Sequence, residues 1–493
     1  MPNGKSYIVA MPAILTLALW ACSSAPPARE EIRATREIRP ADRFYQQIDS
    51  ILDDSALSAC IIGVEVRSLG GGTTLYQRNS GKLFHPASNM KLLTTSTALE
   101  LLGPDYAFRT LIRSDSSIRD GVLQGDLRIQ GSGDPLLKTS DLDSLARGVL
   151  QRGISTISGD IVGDVSAFDT LSWGAGWMWD DEPDADEAFI SPLTVNDNSV
   201  EVIVSPGRRS GDPALVTLSP ECRYISVINS GITTFDTLVP HLHVTRDRGS
   251  NRIRVVGRIA PHSPGEHFFL SVWKPELYFL TLFRESLQKE GVKVRGVLRT
   301  DTASRGMLLA ELTHPLDSVL HQVNKPSDNL AAENLLKTIA LEKSGRPGSA
   351  SKGLTAMKEY FATIGIDTSA MVLSDGSGVS FYNQVSPDAI VRLLAKMHGD
   401  SVRFKTFYES LPVGGVDGTL KNRFRWTQAE RNVRAKTGSL TGASSLSGYV
   451  TSADGKLIAF SILCNHFPSQ VSILRDVQDR IVEFLARSTT GGK

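Results

Sequence analysis

Cysteine is scarce: four residues, Cys22, Cys60, Cys222 and Cys464, occur among 493, and no two stand in a CxxC spacing. A disulfide framework and a thiolate zinc site are thereby excluded as organising principles. The nine histidines contain no HExxH pair, the spacing that puts two imidazoles on one helix face. No metal and no other cofactor is expected. Neither sign of charge is in excess, since 53 Lys and Arg balance 53 Asp and Glu and no basic block stands out. A protein that grips phosphates would carry a basic surplus, so nucleic acid is excluded as a partner. No internal repeat of 20–50 residues recurs, which excludes a solenoid.

What is present is the complement of a globular protein. Hydrophobic residues make up 41% of the chain and 42 glycines add to them, ample apolar surface to offset chain entropy. The length predicts two or three domains.

The N-terminus reads as an export signal. Lys5 precedes an apolar run from Tyr7 to Trp20, followed by Ala21-Cys22, and the run is too short and one-sided to span a bilayer. Leu19-Trp20-Ala21-Cys22 resembles a bacterial lipobox, so residues 1–21 are assigned to a signal peptide and Cys22 to lipidation. Residues 22–40, polar and Pro-containing, form a tether that would hold a folded body off a membrane. The expected location is the periplasm or cell envelope, with a lipid anchor as the membrane contact. Cys60 and Cys464 sit in apolar, strand-like stretches and read as buried free thiols.

Apolar spacing predicts a first helix around Phe44–Leu52, a strand over Cys60–Leu69 returning at Thr73–Tyr76, and a helix after Ser88 ending near Gly103-Pro104. From Tyr106 glycine and aspartate turns punctuate short β-branched runs. A helix returns near Trp273–Gly291, and helical patterns dominate beyond Arg305, clearest at Leu330–Glu342, Asp388–His398 and Val471–Ala486. Strands are predicted at Val433–Lys436, Leu446–Thr451 and Leu457–Leu463, with a loop over Ser439–Ser445. The pattern is one α/β domain split by a long β-rich insertion.

Three short motifs carry chemistry. Ser88-Asn89-Met90-Lys91 is an S-x-x-K, and residues i and i+3 share a helix face. The Lys91 amine can therefore reach the Ser88 hydroxyl, which becomes a useful nucleophile only when a base takes its proton. Lysine is such a base once burial or a nearby cation lowers its pKa. Four S-x-x-K tetrads occur, starting at Ser88, Ser271, Ser286 and Ser349, and about one arises by chance. Only Ser88 opens a long apolar helix directly after a hairpin. Ser327-Asp328-Asn329 is the sole S-x-N, whose serine could equally be an ordinary helix N-cap. Lys436-Thr437-Gly438 is the sole K-T-G, a match expected by chance on the order of 0.1 times.

In this order the three motifs are those of β-lactamases and penicillin-binding proteins. Over roughly residues 41–487 the chain resembles the penicillin-binding-protein-4 type of D-alanyl-D-alanine carboxypeptidases, the class C low-molecular-mass penicillin-binding proteins. Leu83–Leu93, Gly176-Trp177-Met178-Trp179-Asp180-Asp181, Val195–Asn198, Asp375-Gly376-Ser377-Gly378 and Gly414–Leu420 carry that resemblance beyond the motifs. It implies an α/β (α+β) serine-type penicillin-binding/β-lactamase-like catalytic domain, an antiparallel sheet with flanking helices, interrupted by a large β-rich inserted region. Residues 41–105 would be its first part, 106–304 the insertion and 305–493 its second part.

The resemblance also implies roles. Ser88 would attack the penultimate D-Ala carbonyl of a peptidoglycan stem peptide, with Lys91 as base. Ser327 would relay a proton to the leaving amine beside Lys436, whose charge would help depress Lys91. Asn329 would hold the substrate amide, Lys436 and Thr437 the terminal carboxylate, and Gly438 would let substrate approach the strand. Backbone N–H groups of Ser88 and Ser439 would form the oxyanion hole, and Asp164 would receive the amino end of the stem peptide. Trp177 and Trp179 read as core or interface residues. Stem peptides and β-lactam antibiotics are the implied partners, and cleavage of cross-links would use the same catalytic residues. A β-lactamase and a non-catalytic peptidoglycan-binding lipoprotein are the alternatives. The 239-residue step from Ser88 to Ser327 is far too long for a class A β-lactamase, and the 107-residue step from Asn329 to Lys436 holds no E-x-x-L-N-type loop.

Overall fold

In the computed structural model, which describes residues 40–236, 241–302, 306–468 and 470–489, a five-stranded antiparallel sheet is assembled from the two ends of the chain. The signal peptide expected at 1–21, Cys22 and the tether up to residue 39 lie outside the described residues. From Pro40 onward the chain forms one compact unit.

Helix α1 (Pro40–Leu52) precedes the hairpin of β1 (Ile61–Ser68) and β2 (Thr74–Arg78), and a 3₁₀ turn at Ala87–Asn89 runs into helix α2 (Met90–Leu101). A second body follows, from β3 (Ala107–Ser114), β4 (Leu127–Gln130), helix α3 (Thr139–Gln151) and β5 (Ile161–Asp164). Two three-stranded sheets come next, from β6 (Ser199–Ser205), β7 (Leu215–Ser219), β8 (Ser226–Thr233), β9 (His243–Arg246), β10 (Arg252–Ile259) and β11 (Glu266–Ser271). Helix α4 (Pro275–Lys289) leads to β12 (Leu298–Asp301) and β13 (Met307–Pro315), which close a mixed sheet of order β12-β5-β4-β3-β13. The chain returns through helices α5 (Leu316–Asn324), α6 (Asn329–Ser344), α7 (Ala350–Thr363), α8 (Pro387–His398) and α9 (Phe404–Ser410). It ends with β14 (Arg434–Leu440), β15 (Ala443–Thr451), β16 (Leu457–Asn465) and helix α10 (Val471–Arg487), giving the first sheet the order β14-β15-β16-β1-β2.

Alternation along β16 explains the layering, because successive side chains point to opposite faces. Phe460, Ile462 and Cys464 join a core with Ile48 of α1 and Leu474 and Ile481 of α10. Ala459 and Leu463 face the other way, into a core shared with α2, α6 and α8. Helix α2 is buried continuously from Met90 to Leu99, as suits a helix enclosed on all sides rather than amphipathic. The second body has its own core, centred on Ile129, Ile161, Val202 and Phe279. This mixed α/β body with flanking helices is the expected fold class.

Two elements differ from the local reading. Met307–Pro315, in a stretch that reads as helical, is strand β13 paired with β3; its Leu, Ala and Glu favour helix, but cross-strand pairing overrides the propensity. Ser439 also does not open a loop. Strand β14 continues through it to Leu440, turns at Gly442 (φ +73°) and pairs Gly438 with Ser445, a register that the Ser- and Gly-rich composition conceals.

Candidate active site

The sequence Pro86-Ala87-Ser88-Asn89 forms a tight turn rather than the first turn of α2 proper, and Ala87 takes a left-handed conformation (φ 46°). The turn leaves Ser88 half-buried at the mouth of a cleft while Lys91, three residues on, is fully buried. The Lys91 Nζ donates to Ser88 Oγ at 2.9 Å, to Asn329 Oδ1 at 2.6 Å and to the Ser377 carbonyl at 2.8 Å. Burial lowers the pKa of Lys91 to about 8, against the opposing pull of Asp375, Asp328, Glu333 and Asp186. The depression comes from desolvation, one of the two routes that the sequence left open.

Ser327 and Asn329 arrive at the start of α6. Asp328, not Ser327, is the N-cap, accepting the Ala331 N–H at 2.8 Å. Ser327 is therefore free of capping duty; its φ of 74° sends the hydroxyl to Lys436, whose Nζ donates to it at 2.8 Å. Asn329 accepts from Lys91 and donates from Nδ2 to the Asp186 carbonyl at 3.0 Å, which fixes its amide orientation.

Strand β14 supplies the opposite wall. Lys436 is fully buried, and burial, then the charge of Lys91, holds its pKa well below the ordinary lysine value. Asn89 Nδ2 donates to the Lys436 carbonyl at 2.9 Å and Ser445 Oγ to the Pro86 carbonyl at 2.7 Å, tying turn and strand together. Thr437 Oγ1 donates to Thr419 Oγ1 at 2.8 Å. At Gly438 a Cβ would overlap Ser445 Oγ and lie 2.9 Å from both Pro86 O and Ser88 N, so only glycine permits this approach. Ser88, Ser327, Asn329, Thr437, Gly438 and Ser439 all line one cleft of about 550 Å³.

The structure thus brings together seven of the residues singled out in the three motifs, Lys91 and Lys436 lying just beneath the cleft surface. It does not bring Asp164 to them. That carboxylate is buried at the end of β5, accepts the Ser166 N–H at 2.9 Å and hydroxyl at 2.6 Å, and faces Arg346 at 3.7 Å. It lines neither this cleft nor the groove beside it. Trp177 is buried as expected, with its Nε1 donating to Asp375 at 3.0 Å. Trp179 is not: it is exposed under the Arg248 guanidinium, a cation–π contact at the surface.

Several contributors escaped sequence reasoning. Glu333 and Asp375 lie beneath Lys91, and a second groove of about 760 Å³, sharing Asp186, Ser327 and Asn329 with the cleft, is lined by Asp180, Asp181 and Asp184. The crowding of acids over residues 180–187 was a visible signal. Burial, then the crowded carboxylates of Asp181, Asp184 and Asp186, push the pKa of Glu187 up to about 8. Among the described residues no His, Cys, Asp or Glu cluster of three or more could hold a metal, and no helix is long and apolar enough to cross a membrane. Cys60, Cys222 and Cys464 are free thiols, Cys60 half-buried and the others buried.

Residues 44–488 match the model of the D-Ala-D-Ala carboxypeptidase 3 (S13) family. A D-alanyl-D-alanine carboxypeptidase of an Actinomadura species is 36% identical over 466 residues, covering 91% of this chain and 86% of that protein. The D-alanyl-D-alanine carboxypeptidase DacB of Haemophilus influenzae is 28% identical over 414 residues, covering 82% and 85%. The crystal structure of penicillin-binding protein 4 (dacB) from Haemophilus influenzae superimposes with a TM-score of 0.81 at 26% identity, covering 90% of this chain and 99% of that one. A second structure of that protein, complexed with a β-lactam, gives 0.76 at 25% identity, covering 90% and 100%.

Proposed function

Because the chain belongs to the D-Ala-D-Ala carboxypeptidase 3 (S13) family and is a serine-type D-Ala-D-Ala carboxypeptidase, we propose that Ser88 is its acylated nucleophile and Lys91 the base. The observation that carries this is the 2.9 Å contact between the Ser88 hydroxyl and an amine whose pKa is lowered to about 8. Near neutral pH a useful fraction of that amine is unprotonated, which suits a general base.

Ser88 Oγ attacks the penultimate D-Ala carbonyl as its proton passes to Lys91. The N–H groups of Ser88 and Ser439 receive the oxyanion; such preorganised donors commonly supply the largest share of rate enhancement. Ser327, held by Lys436, returns a proton to the leaving amine, and terminal D-Ala departs. Water then hydrolyses the acyl-enzyme. Lys436 and Thr437 hold the substrate carboxylate and Asn329 the amide. The amine recognition expected of Asp164 falls instead to the acidic groove of Asp180, Asp181, Asp184 and Asp186, where a cationic end of the stem peptide would meet carboxylates.

Incubation with a stem pentapeptide should release D-Ala, and Ser88→Ala should abolish release; release that survives moves the nucleophile elsewhere. Acetylating the peptide's side-chain amine should raise KM, and an unchanged KM would remove the groove from recognition. We infer further that penicillins acylate Ser88, read as an intact-mass adduct, and that muropeptide dimers are cleaved at the same serine. Lipidation at Cys22, supported by the short apolar run before it, would anchor the protein by burying acyl methylenes at about 0.8 kcal/mol each. Equal solubility of wild type and Cys22→Ser on membrane fractionation would refute the anchor.

A further inference from the structure

Beneath Lys91 lie two carboxylates that the reaction as derived leaves unused. Glu333, on α6, is 0% exposed, and Asp375, on the loop after α7, is 1% exposed. Glu333 Oε1 accepts the N–H groups of Gly376 and Ser377, both at 2.8 Å, and the Ser377 carbonyl accepts Lys91 Nζ at 2.8 Å. The loop has no slack: a Cβ on Gly376 would meet Ala332 O and Leu336 Cβ at 3.0 Å, and Thr94 Oγ1 donates to the Gly376 carbonyl at 2.6 Å.

The two carboxylates are unequally served. Asp375 Oδ1 accepts from Gly378 N at 2.8 Å and Asn383 Nδ2 at 2.6 Å, and Oδ2 from Ser380 N at 2.7 Å and Trp177 Nε1 at 3.0 Å. Glu333 Oε2 is buried with no hydrogen-bond partner. A buried acid with too few donors resists ionisation. Burial, then the neighbouring Asp375, push the pKa of Glu333 up to about 7.

We propose that Glu333 is a positioning residue for acylation: through the Ser377 backbone it holds the Lys91 amine on Ser88, and its change of charge adjusts the basicity of that amine. The inference rests on the reading of Ser88 and Lys91 as nucleophile and base. The charged groups around the pair are Asp375 from the loop and Lys91 from α2, with Asp328 and Asp186 facing Lys91 from the cleft side. An ionised Glu333 favours the Lys91 ammonium, so its removal frees the amine at lower pH.

Glu333→Gln preserves shape and the Oε1 acceptor, whereas Glu333→Ala removes both. The pH profile of kcat/KM for D-Ala release and the rate of acylation by a fluorescent penicillin are measured, with thermal melting to establish folding. The Gln variant is expected to keep its fold and move the acid limb of kcat/KM to lower pH by about half a unit or more. The Ala variant is expected to acylate at least about tenfold more slowly with KM little changed, because an interaction needed only in the transition state is lost. A limb that stays in place in the Gln variant overturns the proposal, whatever happens to the rate, and decides the matter alone if the Ala variant does not fold. A wild type inert toward both peptide and penicillin would instead refute the Ser88–Lys91 reading.

Discussion

Two lysines buried within one catalytic centre carry a cost in stability that varies with pH. Lys91 titrates near 8 in the folded protein and near 10.5 when unfolded, so between those values the unfolded chain binds more protons. Stability therefore rises as pH increases through this window, and the penalty is fully present below about 8. Burial is complete at this residue, and the full effect amounts to ~3 kcal/mol. Urea titrations of wild type and Lys91→Met at pH 7.5 and 10 should show a larger rise in wild type than in the variant, where Lys436 alone remains buried and no longer feels the Lys91 charge. Parallel curves would mean that Lys91 is not depressed. At this scale the pairing of Ser88 with Lys91 was legible because helical spacing alone puts i and i+3 side by side. The contact of Ser327 with Lys436 spans most of the second catalytic segment, and only the resemblance pointed to it. The place of Asp164, paired with its own Ser166 and Arg346 away from the cleft, was not legible because a turn aspartate looks the same in sequence whatever it faces.

Strand β14 works by proximity. Its Gly438 runs so close to the Pro86–Ser88 turn that a methyl group would push Ser88 N away from the strand. A displacement of about 1 Å in a reacting group can cost on the order of a hundredfold in rate. Gly438→Ala should therefore slow penicillin acylation by about that factor and lower the melting temperature, since the added methyl overlaps Ser445 Oγ, and an acylation rate within twofold of wild type would show that the turn can give way. Helices α8 and α10, each with one apolar face, were legible because that face leaves a repeat in the sequence, whereas α6, β15 and β16 are buried nearly throughout and were legible from their apolar runs. Strand β13 and the far half of β14 were not, since their conformation is imposed by partners from other parts of the chain. Local composition at those two places argues for helix and for loop.

Across the molecule, the insertion helps to build the centre rather than merely decorating it. Trp177 reaches from it to Asp375, and the Asp186 carbonyl orients Asn329. Trp177→Phe keeps the ring packing and deletes one buried donor to a carboxylate, a loss worth about 1.5–3 kcal/mol. Urea unfolding should report that loss together with slower acylation, and unchanged stability would uncouple the insertion from the Asp375 loop. The contributions of Trp177 and Asp186 to the centre were not legible because they act through an indole N–H and a backbone carbonyl. The central pairing of the sheet has one more consequence. Ile61 lies opposite Asn465, so β1 pairs at once with β2 but must wait for a strand about four hundred residues further on, and contacts between such distant residues form slowly. Until β16 arrives, the early hairpin lacks the strand that joins it to β14 and the Lys436 wall. The Lys436 wall therefore faces Ser88 only once β15 and β16 bridge the first hairpin to β14, so the chemistry waits on closure of the whole sheet.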